Sequence, residues 1–130
     1  MSNRRTVFFI SDRTGITAEV LGNSLLSQFE GIEFQRLTIP FVDSVEKIDG
    51  VIQQMNDTAE REGRRPIVFS SIVDEAMSER LRRNSNALTL DLFQVFISPL
   101  ETELEAKSSH AAGRSHGIAN SHEYFARMEA

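Results

Sequence analysis

Five consecutive residues near the start of the chain, Thr6–Ile10, are β-branched or aromatic, and no polar residue alternates with them after Thr6. A strand with this pattern is covered on both faces, which is typical of a parallel sheet packed between helices. Further strands are expected at Glu33–Ile39, Pro66–Ser70 and Ala87–Leu90. The chain is therefore predicted to fold around a parallel sheet.

Helical patterns separate these strands. The segment after the first strand places its apolar residues on one helical stripe and predicts a helix to about Glu30. The next segment has the same periodicity, with Asp43 as the expected N-cap and Gly63 as the stop. A short helix is expected after the third strand, and a last one, from Asp91, should kink or split at Pro99. The first stripe consists of Ile16, Val20, Leu21, Leu25 and Phe29, and the second of Val45, Ile48, Ile52, Met55 and Ala59.

The predicted order is βαβαβαβα, which favours a four-stranded parallel sheet in a doubly wound, Rossmann-like α/β fold with right-handed crossovers. A chain of 130 residues suits one core. Residues 1–107 are expected to form this N-terminal α/β domain. Residues 108–130 begin rich in serine and glycine, so we expect a linker there, followed by a truncated helix that begins after Ser121.

Charge and composition exclude several classes of protein. The chain has a formal net charge of −5 and no cysteine, which removes disulfides and cysteine nucleophiles and fits a cytoplasmic location. An acidic chain is not expected to bind nucleic acid in general. No apolar run approaches the roughly 18 residues of a membrane span, and no signal-peptide core follows Met1, so no membrane association is expected.

The turn after the first strand, SDRTGITAE at 11–19, is the first candidate site. Loops at the carboxyl ends of parallel strands hold ligands, and the amides of a helix N-terminus attract anions. Gly15 permits close backbone approach, Arg13 adds positive charge, and Asp12 opposes an anion or binds a ribose, a metal or the loop itself. The alternative is a helix cap by Asp12 or Thr14. The candidate anion- or ligand-binding residues are Ser11, Asp12, Arg13, Thr14, Gly15 and Thr17.

A group of arginines between residues 61 and 83 forms the second candidate site. Guanidinium groups bind phosphates and acidic protein surfaces, so these residues are candidates for contact with a partner. The alternative is a solvated helix face, in which the arginines pair with neighbouring glutamates and contribute little. The group consists of Arg61, Arg64, Arg65, Arg80, Arg82 and Arg83.

Other familiar kinds of site are not expected. The three histidines, His110, His116 and His122, are six residues apart, which does not suit metal binding on a helix, so no metal site is predicted. A nucleophile elbow is not expected either, because the Gly-x-Ser-x-Gly run at 113–117 lies in the expected linker and not between a predicted strand and a predicted helix. The last helical pattern carries more apolar residues, Phe93 and Phe96 among them, than one buried stripe needs, so a homodimer interface is expected.

Three segments together resemble one known family. The turn SDRTGITAE, the run RPIVFSSIVDEAMSERL at 65–81 and the stretch HGIANSHEYFARMEA at 116–130 are similar to the family that regulates phosphoenolpyruvate synthase and pyruvate, phosphate dikinase. The resemblance implies a bifunctional serine/threonine kinase and pyrophosphorylase. Such a protein phosphorylates a threonine of the target enzyme with ADP as donor, and reverses the modification with inorganic phosphate to release pyrophosphate.

One motif of that family has no counterpart here. The resemblance places a P-loop of the type Gly-x-Ser-Arg-x-x-Lys-Thr in the second half of the full-length protein, and nothing similar occurs in this chain. We therefore expect no catalytic residue in this chain, and we expect ADP and phosphate to be used by the full-length protein. His116, Tyr124 and Arg127 match the family's linker. The alternative is a stand-alone anion- or nucleotide-binding regulatory module.

Overall fold

A computed structural model of the chain describes residues 4–109, in which four strands alternate with helices as predicted. A π-helical turn, Phe93–Ile97, leads into the last helix. The predicted linker from residue 110 onward and the predicted terminal helix, with His116, Tyr124 and Arg127, lie outside the described residues. The strands are β1 (Arg4–Ser11), β2 (Glu33–Ile39), β3 (Ile67–Ser71) and β4 (Leu88–Asp91), and the helices are α1 (Ile16–Leu26), α2 (Val45–Glu62), α3 (Glu75–Asn84) and α4 (Ser98–Leu104).

The four strands form one parallel sheet in the order β2-β1-β3-β4, which confirms the predicted fold class. In the register of the central strands, Val7 lies beside Arg36 on one side and Ile67 on the other. The chain leaves β1 towards β2 and leaves β3 towards β4, so the winding direction reverses between β1 and β3. In such sheets this switch point is where ligands bind.

Each face of the sheet has its own core. Helices α2 and α3 cover the face that carries Phe8, Ile10 and Val68, and α1 covers the face that carries Val7, Phe9 and Phe69. The apolar stripe of α2 is buried largely as its periodicity predicts. The first cluster consists of Phe8, Ile10, Val42, Ile48, Val51, Ile52, Met55, Val68, Ile72 and Leu81, and the second of Val7, Phe9, Ala18, Leu26, Phe69 and Leu92.

Both ends of α2 are defined by a capping residue. Its N-cap is Ser44, whose hydroxyl accepts a hydrogen bond from the Lys47 amide at 3.2 Å, so the prediction of Asp43 was wrong by one residue. Asp43 instead pairs with the Lys47 ammonium at 3.1 Å. The predicted stop is confirmed, because Gly63 ends the helix with a φ of 73°, a conformation that glycine adopts without a steric penalty.

Helix α1 differs most from its prediction. It ends at Leu26, and the side turned to the sheet is formed by Ala18, Gly22 and Leu26 rather than by the larger apolar residues. The rings of Phe9 and Phe69 stack beneath this helix with centroids 5.8 Å apart and leave no room for a side chain at Gly22. The predicted stripe is consequently turned outward, and its most exposed members are Ile16, Val20, Leu25 and Phe29.

The last helical region does not split at Pro99, because the backbone stays helical through Ile97 and Ser98 and only changes there from the π-helical turn to α4. The proline lies in the first turn of α4, where its missing amide costs nothing, and the residues before it form the π-helical turn. Phe93 is half-buried, whereas Phe96 is 45% exposed. Within residues 4–109, no helix combines the length and apolar character needed to cross a membrane.

Candidate functional site

The switch point of the sheet brings two loops together at the carboxyl ends of β1 and β3. The first, which we call the switch-point loop, comprises Ser11–Gly15 and contains most residues of the first candidate site. The second, Ile72–Asp74, leads from β3 into α3. The switch-point loop therefore lies at the carboxyl end of β1 as predicted, the edge at which doubly wound sheets bind ligands.

Local hydrogen bonds and one glycine shape the switch-point loop. The Arg13 amide donates to the Ser11 hydroxyl at 2.9 Å, which closes the turn. Gly15 has a φ of 90° and is buried, and a Cβ at this position would lie 3.0 Å from Cγ2 of Thr38. A larger residue would have to adopt a strained backbone and displace β2, so both the turn and the close approach require glycine.

The N-terminus of α1 has no side-chain cap. Gly15 occupies the N-cap position and has no side chain to accept a hydrogen bond. The Ile16 amide donates a long hydrogen bond of 3.4 Å to the Thr14 hydroxyl. The cap predicted from Asp12 was wrong, because that carboxylate points to the other loop. The amides of Thr17 and Ala18 in the first helical turn have no side-chain acceptor among the described residues, and they lie next to the exposed side chain of Arg13. This combination is suited to binding an anion.

Asp12 joins the two loops of the crevice. Its Oδ2 accepts a hydrogen bond at 3.0 Å from the amide of Val73, which is 61 residues away in the chain. Its Oδ1 is buried and accepts no hydrogen bond from the described residues. A buried carboxylate oxygen is stabilised by a donor, so a ligand hydroxyl that reached Oδ1 would supply the missing interaction.

The loop between β2 and α2 forms a third wall that sequence reasoning missed. The amides of Phe41 and Val42 donate to the carbonyls of Arg13 and Ser11, both at 2.8 Å. Phe41 has a φ of 56°, which is uncommon for an aromatic residue, yet its side chain remains 54% exposed. The unfavourable backbone conformation holds an aromatic ring at the rim of the site. Pro40 immediately before it is the one local signal of a turn.

The structure separates the arginines of the second candidate site into two groups. Arg80 makes two hydrogen bonds to the carboxylate of Asp49, at 2.7 and 3.0 Å, and this partner lowers the pKa of Asp49 below its ordinary value. Arg82 and Arg83 both pair with Glu79. For these three arginines, the arrangement favours the alternative of a solvated helix face.

Arg61, Arg64 and Arg65 lie at the opposite end of the sheet from the switch-point loop. Guanidinium groups there are positioned by uncharged backbone carbonyls, such as that of Arg65, which accepts from Arg5 at 2.7 Å. The side chains of Arg61 and Arg65 make no hydrogen bond or ion pair with the described residues. We call this surface the basic edge, and it consists of Arg4, Arg5, Arg61, Arg64 and Arg65.

A second cavity, of about 240 Å³, lies between α3 and the π-helical turn. The buried carboxylate of Asp91 is its most conspicuous group and was not predicted as a site residue. Its Oδ1 accepts from the amides of Phe93 and Gln94 at 2.9 and 3.2 Å, and its Oδ2 accepts from the Ser78 hydroxyl. Because protein donors satisfy both oxygens, Asp91 serves as a cap for the last helical region.

Comparison with known proteins identifies the family of this chain. The Kinase/pyrophosphorylase family matches residues 7–130. A protein of Burkholderia thailandensis named a phosphoenolpyruvate synthase regulatory protein is 53% identical over 125 residues, which cover 96% of this chain and 45% of that protein. A Pseudomonas aeruginosa protein of the same name is 50% identical over 130 residues, which cover 100% of this chain and 47% of that protein.

A third protein of that name, from Legionella pneumophila, is 46% identical over 98% of this chain. No solved structure matches the chain. The chain spans about half the length of the curated relatives it matches. Since the family match extends from β1 to the last residue, the chain belongs to the Kinase/pyrophosphorylase family.

Proposed function

We propose that this chain is the N-terminal part of a regulatory phosphotransferase that acts on phosphoenolpyruvate synthase, and that its switch-point loop binds phosphate groups of a ligand. The observation that carries the second part is the uncapped N-terminus of α1 beside Arg13, at the winding reversal of the sheet. The names of the relatives support the target enzyme. Pyruvate, phosphate dikinase is the alternative target.

The proposed reaction needs the part of the relatives that this chain does not span. In the kinase direction, a threonine hydroxyl of the target takes the terminal phosphoryl group of ADP, which leaves AMP. In the reverse direction, inorganic phosphate takes the phosphoryl group from phosphothreonine, which leaves threonine and pyrophosphate. Both need a phosphate cradle and charge neutralisation at the transferred group. We place the P-loop outside this chain, so the chain alone is inactive.

Within this chain, we assign the phosphate contacts to the first-turn amides of α1 and to Arg13. Backbone amides and a guanidinium are complementary to phosphate oxygens in geometry and charge. Asp12 cannot contact an anion favourably, but its buried Oδ1 can accept a hydrogen bond from a hydroxyl of the same ligand, such as that of a ribose. The site is thus suited to a nucleotide, with phosphate at the helix and sugar at the carboxylate.

Thermal unfolding of the chain with ADP, phosphate or pyrophosphate tests this site. A ligand at ten times its Kd should stabilise the chain by about 1.4 kcal/mol, or about 3–5 °C. Arg13→Ala should abolish this shift. Arg61→Ala, which removes an equally charged side chain at the opposite end of the sheet, should retain it. The absence of a shift in the unmodified chain with all three compounds would contradict the proposal.

Three further proposals concern the location of the chain and its protein partners. A cytoplasmic location rests on the absence of cysteine and on the relatives' metabolic target. A homodimer rests on the apolar side chains that the last helical region leaves exposed, chiefly Val95, Phe96 and Leu100. We also propose that the basic edge, with Arg64 and Arg65, contacts the target enzyme.

A further inference from the structure

The face of the sheet that carries α1 is only partly covered by the described residues. Four strands spaced about 4.8 Å apart present a surface wider than one helix, whose diameter is about 10 Å. Helix α1 contacts β1 and β3, the two central strands, while α2 and α3 both lie on the other face. Leu92, which follows β4, is the one buried residue that the last helical region adds to the cluster on the α1 face. The flanks of α1, above β2 and above β4, therefore remain open.

The flank above β2 is mostly polar: its apolar residue Phe34 packs against the second core beneath the Arg36 guanidinium, and its polar residues bond to α1. Thr38 donates a hydrogen bond to Glu19, and Arg36 donates to the Asn23 side chain at 2.6 Å. These contacts connect the outward-facing polar residues of β2 to one side of the helix.

The flank above β4 is entirely apolar. Leu21 and Leu25 are one helical turn apart on the side of α1 opposite Glu19 and Asn23. Across from them, β3 and β4 present Ile67, Leu88 and Leu90 on the same face of the sheet. We call this surface the α1–β4 groove, and it consists of Leu21, Leu25, Ile67, Leu88 and Leu90.

The α1–β4 groove is accessible despite its composition. Leu25 is 43% exposed and Leu88 is 38% exposed, and the groove contains no charged residue. It lies beside a helix on a sheet, which is where a further helix packs in a three-layer α/β fold. The groove therefore requires an amphipathic helix rather than a small ligand.

A segment of this same chain has the required pattern. The helix predicted at His122–Ala130 carries Tyr124, Phe125 and Met128 on one side, with Glu123 and Ala126 opposite. The stretch between Ser109 and His122 can span up to about 40 Å when extended, which is ample to return across the sheet. The family match also includes this segment. We propose that the His122–Ala130 helix docks in the α1–β4 groove and completes the second core.

Disulfide trapping tests this docking directly, because the chain has no native cysteine. We expect the pair Leu88→Cys with Phe125→Cys to form an intramolecular disulfide under mild oxidation, since such a bond requires Cβ atoms within about 4.5 Å. Two controls move one cysteine each: Leu88→Cys with Ala126→Cys, and Arg36→Cys with Phe125→Cys. The first pair should oxidise at least tenfold faster than either control. Equal oxidation rates for all three pairs would overturn the proposal. Disulfide-linked dimers without an intramolecular bond would overturn it too, because a second copy of the chain would then occupy the groove.

Hydrogen exchange gives an independent measurement without cysteines. Amides of residues 124–128 in the unmodified chain should exchange at least tenfold more slowly than in an unfolded peptide, and Leu88→Lys should remove this protection. Leu88 is an edge-strand residue that is already partly exposed, so the variant should keep its fold, which circular dichroism checks. Exchange at the unfolded rate in the unmodified chain would refute the docking. Neither experiment depends on phosphoryl transfer, so failure here leaves the proposed function unaffected.

Discussion

Gly22 sets how closely α1 approaches the sheet, and its replacement by alanine tests that statement quantitatively. An added Cβ would lie 2.5 Å from Cε1 of Phe9 and 2.8 Å from Cδ2 of Phe69, whereas carbon atoms in contact prefer about 3.5–4.0 Å. Both rings are buried and stacked on each other, so neither can rotate away. The helix itself must move outward by about 1 Å to restore ordinary contacts.

Two opposing effects determine how far Gly22→Ala changes the free energy of unfolding. Overpacking of a filled core costs about 1–3 kcal/mol. Alanine also favours the helix over glycine by about 1 kcal/mol, which offsets part of that cost. Gly50→Ala isolates the second effect, because Gly50 lies in α2 with no atom within 4 Å of an added Cβ. The free energy of unfolding should therefore differ between the two variants by about 1–3 kcal/mol.

Urea denaturation of both variants and of the unmodified chain measures this difference. Gly50→Ala should raise the urea midpoint and Gly22→Ala should lower it. In thermal unfolding, the melting temperatures of the two variants should differ by about 3–10 °C for a chain of this size. The slope of the transition should stay constant, since both variants unfold the same surface. If Gly22→Ala were as stable as Gly50→Ala, the close contact between α1 and the phenylalanine rings would be refuted.

Two further predictions concern charged side chains. Because the hydrogen bond from Arg80 lowers the pKa of Asp49, the pair stabilises the fold above the ordinary carboxyl pKa of 3.8 and loses this effect as the pH falls through the lower folded value. Arg80→Gln should therefore raise the Asp49 pKa in an NMR titration, and an unchanged titration would contradict the ion pair. At the basic edge, Arg61→Glu with Arg65→Glu should weaken association of the full-length protein with phosphoenolpyruvate synthase about tenfold at low salt. The control Arg82→Gln with Arg83→Gln should have little effect, and equal losses would argue against a role for the basic edge.

The sequence predicted those elements whose signals are local. The strand Thr6–Ile10 was identified because residues buried on both faces must be apolar at every position, and β1 extends only a few residues beyond it. Helix α2 was identified because three of the five residues of its stripe, Ile48, Ile52 and Met55, are buried and Gly63 ends it. In both cases the residues that determine the element lie within it.

The remaining features depend on contacts between distant residues. The exposed stripe of α1 looks like a core stripe in the sequence, and only the two rings beneath Gly22 explain why small residues face the sheet. The pairing of Arg80 with Asp49 joins positions 31 residues apart, and that of Asp12 with Val73 joins positions 61 apart. No local sequence pattern indicates contacts between residues so far apart in the chain. The sequence could therefore place the candidate site at its loop, but it could not predict that Asp12 connects this loop to Val73.

The position of the basic edge determines whether a partner protein and a small ligand can bind the chain at the same time. Strand β1 begins at Arg4 and ends at Ser11, so the basic edge and the switch-point loop are separated by about 20–25 Å. A macromolecule held at one end of the sheet would leave the opposite end open to solvent. Small-ligand binding and partner binding should then be non-competitive, and the chain could engage its large partner with the small-ligand site either filled or empty.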